Sequence, residues 1–290
     1  MSFPETTILS SDERSIAPAD APEPVPTPHG VTSSRPVSIV ARGLTRRFGT
    51  TVAVQNIDLD VREGEFFGFL GPNGAGKSTT IRMLSGMLRP TAGTVTVAGY
   101  DMTRQPLDVK RIIGVLPEET SLYERLTGAE FLTFAAQMYG LSKDEAAHRA
   151  SDLLDIMELA GAEQNKLIVD YSMGMKKKVA LAASLIHRPR VLFLDEPFNG
   201  VDPVSVRAIR NVLHQLTEGG TTIFFSSHVM EVVERLCTRV AIIARGQIVG
   251  EGTIAELRDR AHTGGDSSLE DIFLTLVQAR PEGQEALTWL

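Results

Sequence analysis

The chain has 290 residues, 42% hydrophobic and 22% charged, which is typical of a globular protein with a large core. Its formal net charge of −7 gives no electrostatic footprint for nucleic acid. The single cysteine, Cys237, excludes an internal disulfide, suits a reducing cytoplasm, and is interpreted as a small core residue. No apolar run approaches the roughly 18 residues of a membrane span, and no secretory signal is visible, so we expect any membrane spans to belong to a partner.

Residues 1–37 differ in composition from the rest of the chain, because they hold seven of its fifteen prolines. Such a segment cannot bury enough apolar surface to offset the entropy of ordering it, so we predict a disordered Pro/Ala-rich tail. A proline-rich docking segment is the alternative. The ordered domain is predicted to span residues 38–280, and residues 281–290 are predicted to form a C-terminal tail.

Strand patterns alternate with helical patterns along this domain. Strands are predicted at 38–48, 52–61, 65–70, 94–97, 112–116, 191–194, 221–225 and 239–249, the last with a turn at Gly246. Helices are predicted at 79–88, 204–216, 229–236 and 269–277. This alternation predicts an α/β fold with a mainly parallel sheet.

Between about residues 120 and 170 the apolar spacing becomes helical, which predicts a helical subdomain inserted between strands of one sheet. The expected apolar face of its first helix consists of Phe131, Phe134, Ala135 and Met138. That of its second helix consists of Ala146, Ala150, Leu153, Leu154 and Met157.

The stretch 71–79 matches the G-x-x-x-x-G-K-[ST] phosphate loop without a mismatch, and it follows a predicted strand and precedes a predicted helix. The residues expected to cradle phosphate are Gly71, Pro72, Asn73, Gly74, Ala75, Gly76, Lys77, Ser78 and Thr79. The glycines allow close backbone approach, Lys77 is expected to reach the β- and γ-phosphates, and Ser78 to hold Mg²⁺. An ordinary glycine-rich turn is the alternative.

Two acids and a histidine follow other predicted strands. Asp195 and Glu196 come directly after an apolar strand, so Asp195 is placed to hold Mg²⁺ and Glu196 to activate water as a general base. His228 follows another strand and is predicted to contact the γ-phosphate. The alternatives are two solvated acids and a structural histidine. The five remaining histidines show no metal-ligand spacing, so no metal beyond Mg²⁺ is expected.

Together these residues resemble the ATP-binding subunits of ABC transporters over roughly residues 38–277. The resemblance implies an α/β fold that is a P-loop NTPase core with a mainly parallel sheet, an N-terminal antiparallel β portion and an inserted helical subdomain. The motifs occur in the family's order. After the phosphate loop come 172–176, similar to the signature, then 194–197, then 199–203, similar to the D-loop, and finally His228. This set separates the resembled family from kinases and GTPases with a phosphate loop.

The resemblance implies that two subunits, here a homodimer, pair head to tail and sandwich ATP between them. Ser172 and Gly174 would then bind the γ-phosphate of ATP held by the partner, and Asp202 would lie at the dimer seam. Phe48 matches the family's adenine-stacking aromatic, with a plain core aromatic as the alternative. Catalysis is assigned to Glu196, His228 and Lys77.

Two positions depart from the resembled family's pattern. Met173 stands where the signature usually has glycine, and Glu118 stands where the family usually has a Mg²⁺-sensing glutamine. The predicted Mg²⁺ ligands are thus Ser78, Asp195 and Glu118. We interpret both departures as branch-specific variants, with a crippled ATPase as the alternative. The run 176–178 of three lysines is interpreted as a solvated face and not as a nucleic-acid patch.

The resemblance implies an ATPase at the cytoplasmic face of a membrane that powers a separate integral-membrane permease. The pattern looks most like exporter subunits for drugs, lipids or polysaccharides. The main alternative is a soluble ABC-family ATPase acting on a partner such as the ribosome or DNA. A kinase or GTPase would leave the signature-like segment and His228 unexplained, and a noncatalytic regulator is a further hypothesis.

Overall fold

The computed structural model describes residues 35–161, 163–261 and 267–278. The predicted tails lie almost entirely (1–37) or entirely (281–290) outside these residues, so both stay predictions. The described strands are β1 Val37–Phe48, β2 Thr51–Arg62, β3 Phe66–Leu70, β4 Ala92–Val97, β5 Tyr100–Asp101, β6 Ile113–Leu116, β7 Val191–Asp195, β8 Thr222–Ser227, β9 Arg239–Ala244 and β10 Gln247–Gly252. The described α-helices are α1 Lys77–Leu84, α2 Pro106–Ile112, α3 Gly128–Met138, α4 Lys143–Ile156, α5 Met173–Leu185, α6 Pro203–Glu218, α7 Met230–Leu236, α8 Ile254–Arg260 and α9 Leu269–Gln278.

The strands form two sheets. One has the order β2-β1-β4-β5 and is antiparallel throughout. The other has the order β10-β9-β3-β8-β7-β6 and is parallel except at its β10 edge. This arrangement confirms the predicted α/β class. Because β3, β6, β7 and β8 run the same way, the residues after their carboxyl ends meet at one edge of the sheet.

The central strands of the parallel sheet are buried from solvent. Strands β3, β7 and β8 are buried along their whole length. The rings of Phe67 and Phe224 stack across neighbouring strands with centroids 5.7 Å apart. A Cβ on Gly68 would lie 2.9 Å from Cys237 Sγ, so the thiol packs against the sheet as the sequence predicted, and burial raises its pKa. This rigid layer fixes the strand ends that carry the polar residues.

Helix α1 is displaced relative to its prediction. It begins at Lys77 and ends at Leu84, whereas the sequence pattern suggested 79–88. Gly76, with φ of +110°, precedes its first residue, and Gly86, with φ of +71°, follows its end. Left-handed glycines are common just beyond helix ends, which explains the early stop.

Helices α3 and α4 lie between β6 and β7 in the chain, as predicted. Thr127 and Glu130 form a capping box at the start of α3, and Ser142 caps α4. The predicted face of α4 is buried or half-buried. The predicted face of α3 is wrong for two of its four residues. The buried residues are Gly128, Leu132 and Ala136, and Phe131 and Ala135 are half-buried. The side chains of Phe134 and Met138 are instead 42% and 72% exposed.

In the described part of the chain, no helix has the length and apolar character needed to cross a membrane.

Candidate functional site

The phosphate-loop motif forms a tight connection between β3 and α1. Gly74 and Gly76 have φ of +78° and +110°, a region that side chains rarely adopt. A Cβ on Gly76 would lie 2.7 Å from the Ala53 carbonyl oxygen, and one on Gly71 would lie 2.5 Å from that of Ile243. Backbone conformation and close packing therefore both require glycine in this loop.

The Lys77 side chain is buried against the same loop. Its Nζ donates to the carbonyl oxygen of Gly71 at 2.8 Å and to that of Pro72 at 3.3 Å. Nζ also lies 3.3 Å from Glu196 Oε1, and both side chains are only 6% exposed. The lysine thus joins the phosphate loop to the carboxyl end of β7, so two motifs far apart in sequence share one site.

One serine hydroxyl orders the two acids at the end of β7. Ser226 Oγ donates to Asp195 Oδ1 at 2.6 Å and accepts from the Glu196 amide at 3.1 Å. Glu196 has φ of +47°, an unusual value for a residue with a long side chain. Sequence reasoning did not single out Ser226. Its position two residues before His228, at a strand end, is the signal that could have found it.

The Glu196 carboxylate is held asymmetrically. Oε2 lies 2.9 Å from His228 Nδ1, and because a carboxylate only accepts, Nδ1 carries the hydrogen. Oε1 is buried and has no hydrogen-bond donor among the described residues, since the Lys77 ammonium lies nearby without hydrogen-bond geometry. A buried acceptor oxygen without a donor is uncommon, and here it is the oxygen on the Lys77 side.

A cleft of about 520 Å³ brings most of the predicted residues together. Its lining consists of Ala53, Asn73, Gly74, Gly76, Lys77, Ser78, Thr79, Glu118, Glu196, Asn199 and His228. Asp195 lies one residue behind this lining and is buried. Phe48 is not part of the lining. It is 47% exposed, which excludes the core-aromatic alternative, and the Arg46 guanidinium lies 4.5 Å from its ring centroid.

The predicted signature lies outside this cleft and packs on the predicted D-loop. Ser172 caps α5 by accepting from the Met175 amide at 3.2 Å. Asp202 Oδ1 caps α6. The hydrogen bond from the Ser205 amide is the largest cause that lowers the pKa of the Asp202 carboxyl. A Cβ on Gly174 would lie 2.6 Å from Asp202 Oδ2 and 2.9 Å from Ser205 Oγ. The signature therefore packs on the Asp202 end of the D-loop, outside the cleft, whereas Asn199 at the other end of the D-loop lines the cleft.

The expectation of a solvated face at 176–178 is wrong for two of the three lysines. Lys177 and Lys178 are 3% and 5% exposed. Lys178 pairs with Glu158 at 3.3 Å, whereas Lys177 Nζ donates to the backbone oxygen of Glu118. Long lysine side chains reach partners on other elements, and a local sequence pattern does not reveal those partners.

A family model described as ABC transporter matches residues 54–199. The chain belongs to the ABC transporter family. The linearmycin resistance ATP-binding protein LnrL of Bacillus subtilis (strain 168) is 40% identical over 82% of this chain and 78% of that protein. The daunorubicin/doxorubicin resistance ATP-binding protein DrrA of Streptomyces peucetius is 38% identical over 87% of this chain and 74% of that protein.

Comparison with solved structures supports the same family assignment. The solved structure of an ATP-binding subunit of an ABC transporter superposes with a TM-score of 0.76 at 30% identity, covering 82% of this chain and 99% of that one. The resemblance seen in the sequence is thus confirmed. The two relatives are named as resistance ATP-binding proteins and the solved structure as an ABC transporter subunit, which favours a transporter subunit over a ribosome-acting ATPase.

The two departures from the usual ABC transporter pattern differ in their surroundings. Glu118 lines the cleft, two residues after β6 ends, together with Lys77 and Glu196. Met173 is the first residue of α5 and is 60% exposed, away from that cleft. Glu118 therefore changes the charge of the cleft, whereas Met173 changes the outer surface of the signature.

Proposed function

We propose that this ABC transporter subunit binds ATP with Mg²⁺ in the cleft and hydrolyses it, with Glu196 as general base. The observation that carries the proposal is the environment of Glu196, whose carboxylate lies between the buried Lys77 ammonium and the His228 ring. A carboxylate held in this way beside a phosphate loop is placed to take a proton from water.

The residues of the cleft fit a magnesium nucleotide. The glycine loop leaves no side chain between its backbone and an anion, and Lys77 supplies a positive charge at its centre. Hydroxyl and carboxylate oxygens suit Mg²⁺, so Ser78, Asp195 and Glu118 are the proposed ligands. When bound, Mg²⁺ supplies neutralisation of phosphate charge. Phe48 is proposed to stack on adenine, for which its ring is sufficiently exposed.

In the proposed reaction the protein mainly positions the attacking water and the γ-phosphate. Glu196 Oε1, which has no hydrogen-bond donor among the described residues, is the oxygen proposed to orient the attacking water and accept its proton. His228 holds the other oxygen and is proposed to contact the γ-phosphate through its second ring nitrogen. Ser226 keeps Asp195 and the Glu196 backbone in register.

A second copy of the chain is proposed to complete the site. Ser172 and Met173 are exposed at the N-terminus of α5, on a surface that does not line the cleft of the same chain. A helix N-terminus favours anions, so in a head-to-tail homodimer Ser172 and Gly174 are proposed to contact the γ-phosphate held by the other copy. Asp202, packed on Gly174, is then placed at the seam.

The proposed permease contact is a groove of about 880 Å³ between the parallel-sheet core and the helical subdomain. Exposed apolar residues line it, among them Met87, Leu107 and Met138. Residues 120–122 line this groove, and Glu118, two residues earlier, lines the cleft. One short segment therefore touches both places, which makes it the proposed route from nucleotide to permease.

We assign the transporter to the export class because the relatives LnrL and DrrA are named for resistance to linearmycin and to daunorubicin/doxorubicin. The subunit is then a peripheral protein on the cytoplasmic face of the membrane, held there by its permease. The transported molecule is determined mainly by that permease.

Replacing Glu196 by glutamine tests the proposal. Glu196→Gln keeps the shape of the side chain but removes the base, so phosphate release is expected to fall by at least about a hundredfold. ATP binding, measured by equilibrium dialysis, is expected to persist, and sedimentation is expected to show an ATP-dependent dimer.

Glu218→Gln is the matched control, because it changes an exposed glutamate that lines neither the cleft nor the groove. It is expected to release phosphate at the rate of the unmodified protein. Undiminished phosphate release by Glu196→Gln would refute Glu196 as base, and an ATP-loaded protein that stays monomeric would refute the shared site.

A further inference from the structure

Lys177 differs from the two lysines beside it on α5. Lys176 and Lys178 end on carboxylates, those of Glu124 at 2.8 Å and Glu158 at 3.3 Å. No carboxylate of the described residues lies within ion-pair distance of Lys177 Nζ, and this ammonium donates to the backbone oxygen of Glu118. Burying a charge against a neutral carbonyl is costly unless other charges favour it.

Those charges are the acids of the nucleotide cleft. Burial lowers the pKa of Lys177, and the carboxylates of Glu118, Asp195 and Glu196 act in the opposite direction. The described site thus holds three carboxylates, one of them an addition relative to the usual ABC transporter pattern. Lys77 and Lys177 are the buried cations beside them. ATP brings further negative charge to the same place, so the balance depends on both lysines.

Lys177 also connects three functional segments. It lies on the helix that begins at the signature, its ammonium holds the backbone of Glu118 at the cleft, and the chain continues from there into the groove. The hydrogen bond from Lys177 to the Glu118 backbone therefore restrains the segment 118–122, which is the proposed coupling route.

We propose that Lys177 is a positioning residue that offsets the charge of Glu118 and fixes the Glu118 segment at the nucleotide. The two residues form a matched pair, in which the additional carboxylate is tolerated because the buried ammonium stands behind it. This inference rests on the proposed binding of ATP in the cleft.

The test separates the charge of Lys177 from its hydrogen bond. Lys177→Gln keeps a donor for the Glu118 carbonyl but removes the charge, and Lys177→Arg keeps the charge. Binding of a fluorescent ATP analogue is titrated with and without Mg²⁺. Without Mg²⁺, Lys177→Gln is expected to weaken binding by about tenfold, the equivalent of one unscreened neighbouring charge in a partly buried site.

The double variant Glu118→Gln with Lys177→Gln removes one charge of each sign and is expected to bind within about threefold of the unmodified protein. Lys177→Arg is expected to do the same. Lys178→Gln, which removes the same charge from a buried lysine that pairs with Glu158, is the control and is expected to bind normally. The folded state of each variant is checked by its thermal midpoint.

The proposal is overturned if Lys177→Gln binds the analogue like the unmodified protein, or if the double variant binds no better than Lys177→Gln alone. These results differ from failure of the proposed function. In that case the unmodified protein itself does not bind the analogue, with or without Mg²⁺.

Discussion

At the scale of single residues, Gly174 shows how packing and function constrain the same position. Its neighbours are Asp202 Oδ2 and Ser205 Oγ, at 2.6 and 2.9 Å from where a Cβ would lie. The other oxygen of Asp202 accepts from two backbone amides of α6. A side chain at 174 must therefore displace the residue that caps the next helix, which links the signature to the D-loop without any nucleotide.

Gly174→Ala is expected to destabilise the folded protein by about 1–3 kcal/mol, because a methyl group in this contact forces α5 and α6 apart or breaks the cap. The shift of the urea unfolding midpoint measures the effect. Met173→Gly, at the exposed neighbouring position, is the control and is expected to cost about 1 kcal/mol or less. An unchanged midpoint for Gly174→Ala would mean that Asp202 moves aside freely.

The residues of the site were predictable from sequence to different degrees. Lys77, Glu196 and His228 follow three strands that the pattern predicted to be parallel, so their meeting at one edge was expected. The burial of Lys177 was not, because it depends on the Glu118 backbone, which is distant in sequence. Ser226 was missed for the same reason, since its hydroxyl acquires a role only when β7 and β8 are neighbours.

At the scale of elements, α3 shows where periodicity is insufficient. The helix has two apolar stripes, and the sequence pattern favoured the one with Phe131, Phe134 and Met138. The structure buries the stripe of Leu132 and Ala136 against the subdomain and leaves the aromatic side partly exposed. Phe131 and Met138 line the groove instead. The wrong prediction thus has a physical reason, because an apolar face that lines a surface groove has the same residue spacing as one that is buried in the core.

The end of α5 is attached to the end of α3 through one ring pair. His187 stacks on Tyr139 with centroids 3.7 Å apart, and its Nε2 lies 2.9 Å from the Ile113 carbonyl oxygen. A carbonyl only accepts, so Nε2 carries the hydrogen in the neutral ring. The pKa of His187 is lowered below its usual value of 6.5, mainly because the ring is buried and in addition because the charge of Arg149 lies nearby.

The sign of the resulting pH effect follows from this lowered pKa. The unfolded chain takes up a proton as the pH falls through 6.5, whereas the folded chain resists it, so folding stability decreases in that direction. His187→Gln keeps a donor for Ile113 and does not titrate. It is expected to lose less stability than the unmodified protein between about pH 7.5 and about pH 5.5, measured by urea unfolding.

His148→Gln is the control for this experiment, because the side chain of His148 is 73% exposed and lies beside Asp152. It is expected to keep the pH dependence of the unmodified protein. If His187→Gln loses as much stability on acidification as the unmodified protein, His187 is not the residue responsible.

At the scale of the whole molecule, the charge of the proposed permease groove differs from the charge of the chain. The net charge is −7, yet the charged residues that line the groove are Lys110 and Arg111. Both are exposed, at the end of α2. An apolar groove with a cationic end favours a partner segment that combines apolar side chains with aspartate or glutamate. The proposed permease contact can therefore be tested by reversing the charges of Lys110 and Arg111.

The reversal Lys110→Glu with Arg111→Glu is expected to abolish co-purification of a tagged subunit with the proposed permease from detergent-solubilised membranes, because like charges then face each other. Arg104→Glu with Lys143→Glu makes the same change of net charge at exposed positions outside the groove and is expected to retain the permease. Both variants are expected to bind ATP normally, since none of the four residues lines the cleft. Retention of the permease by the first variant would place the contact elsewhere, whereas loss in both would show that net charge and not the groove controls association.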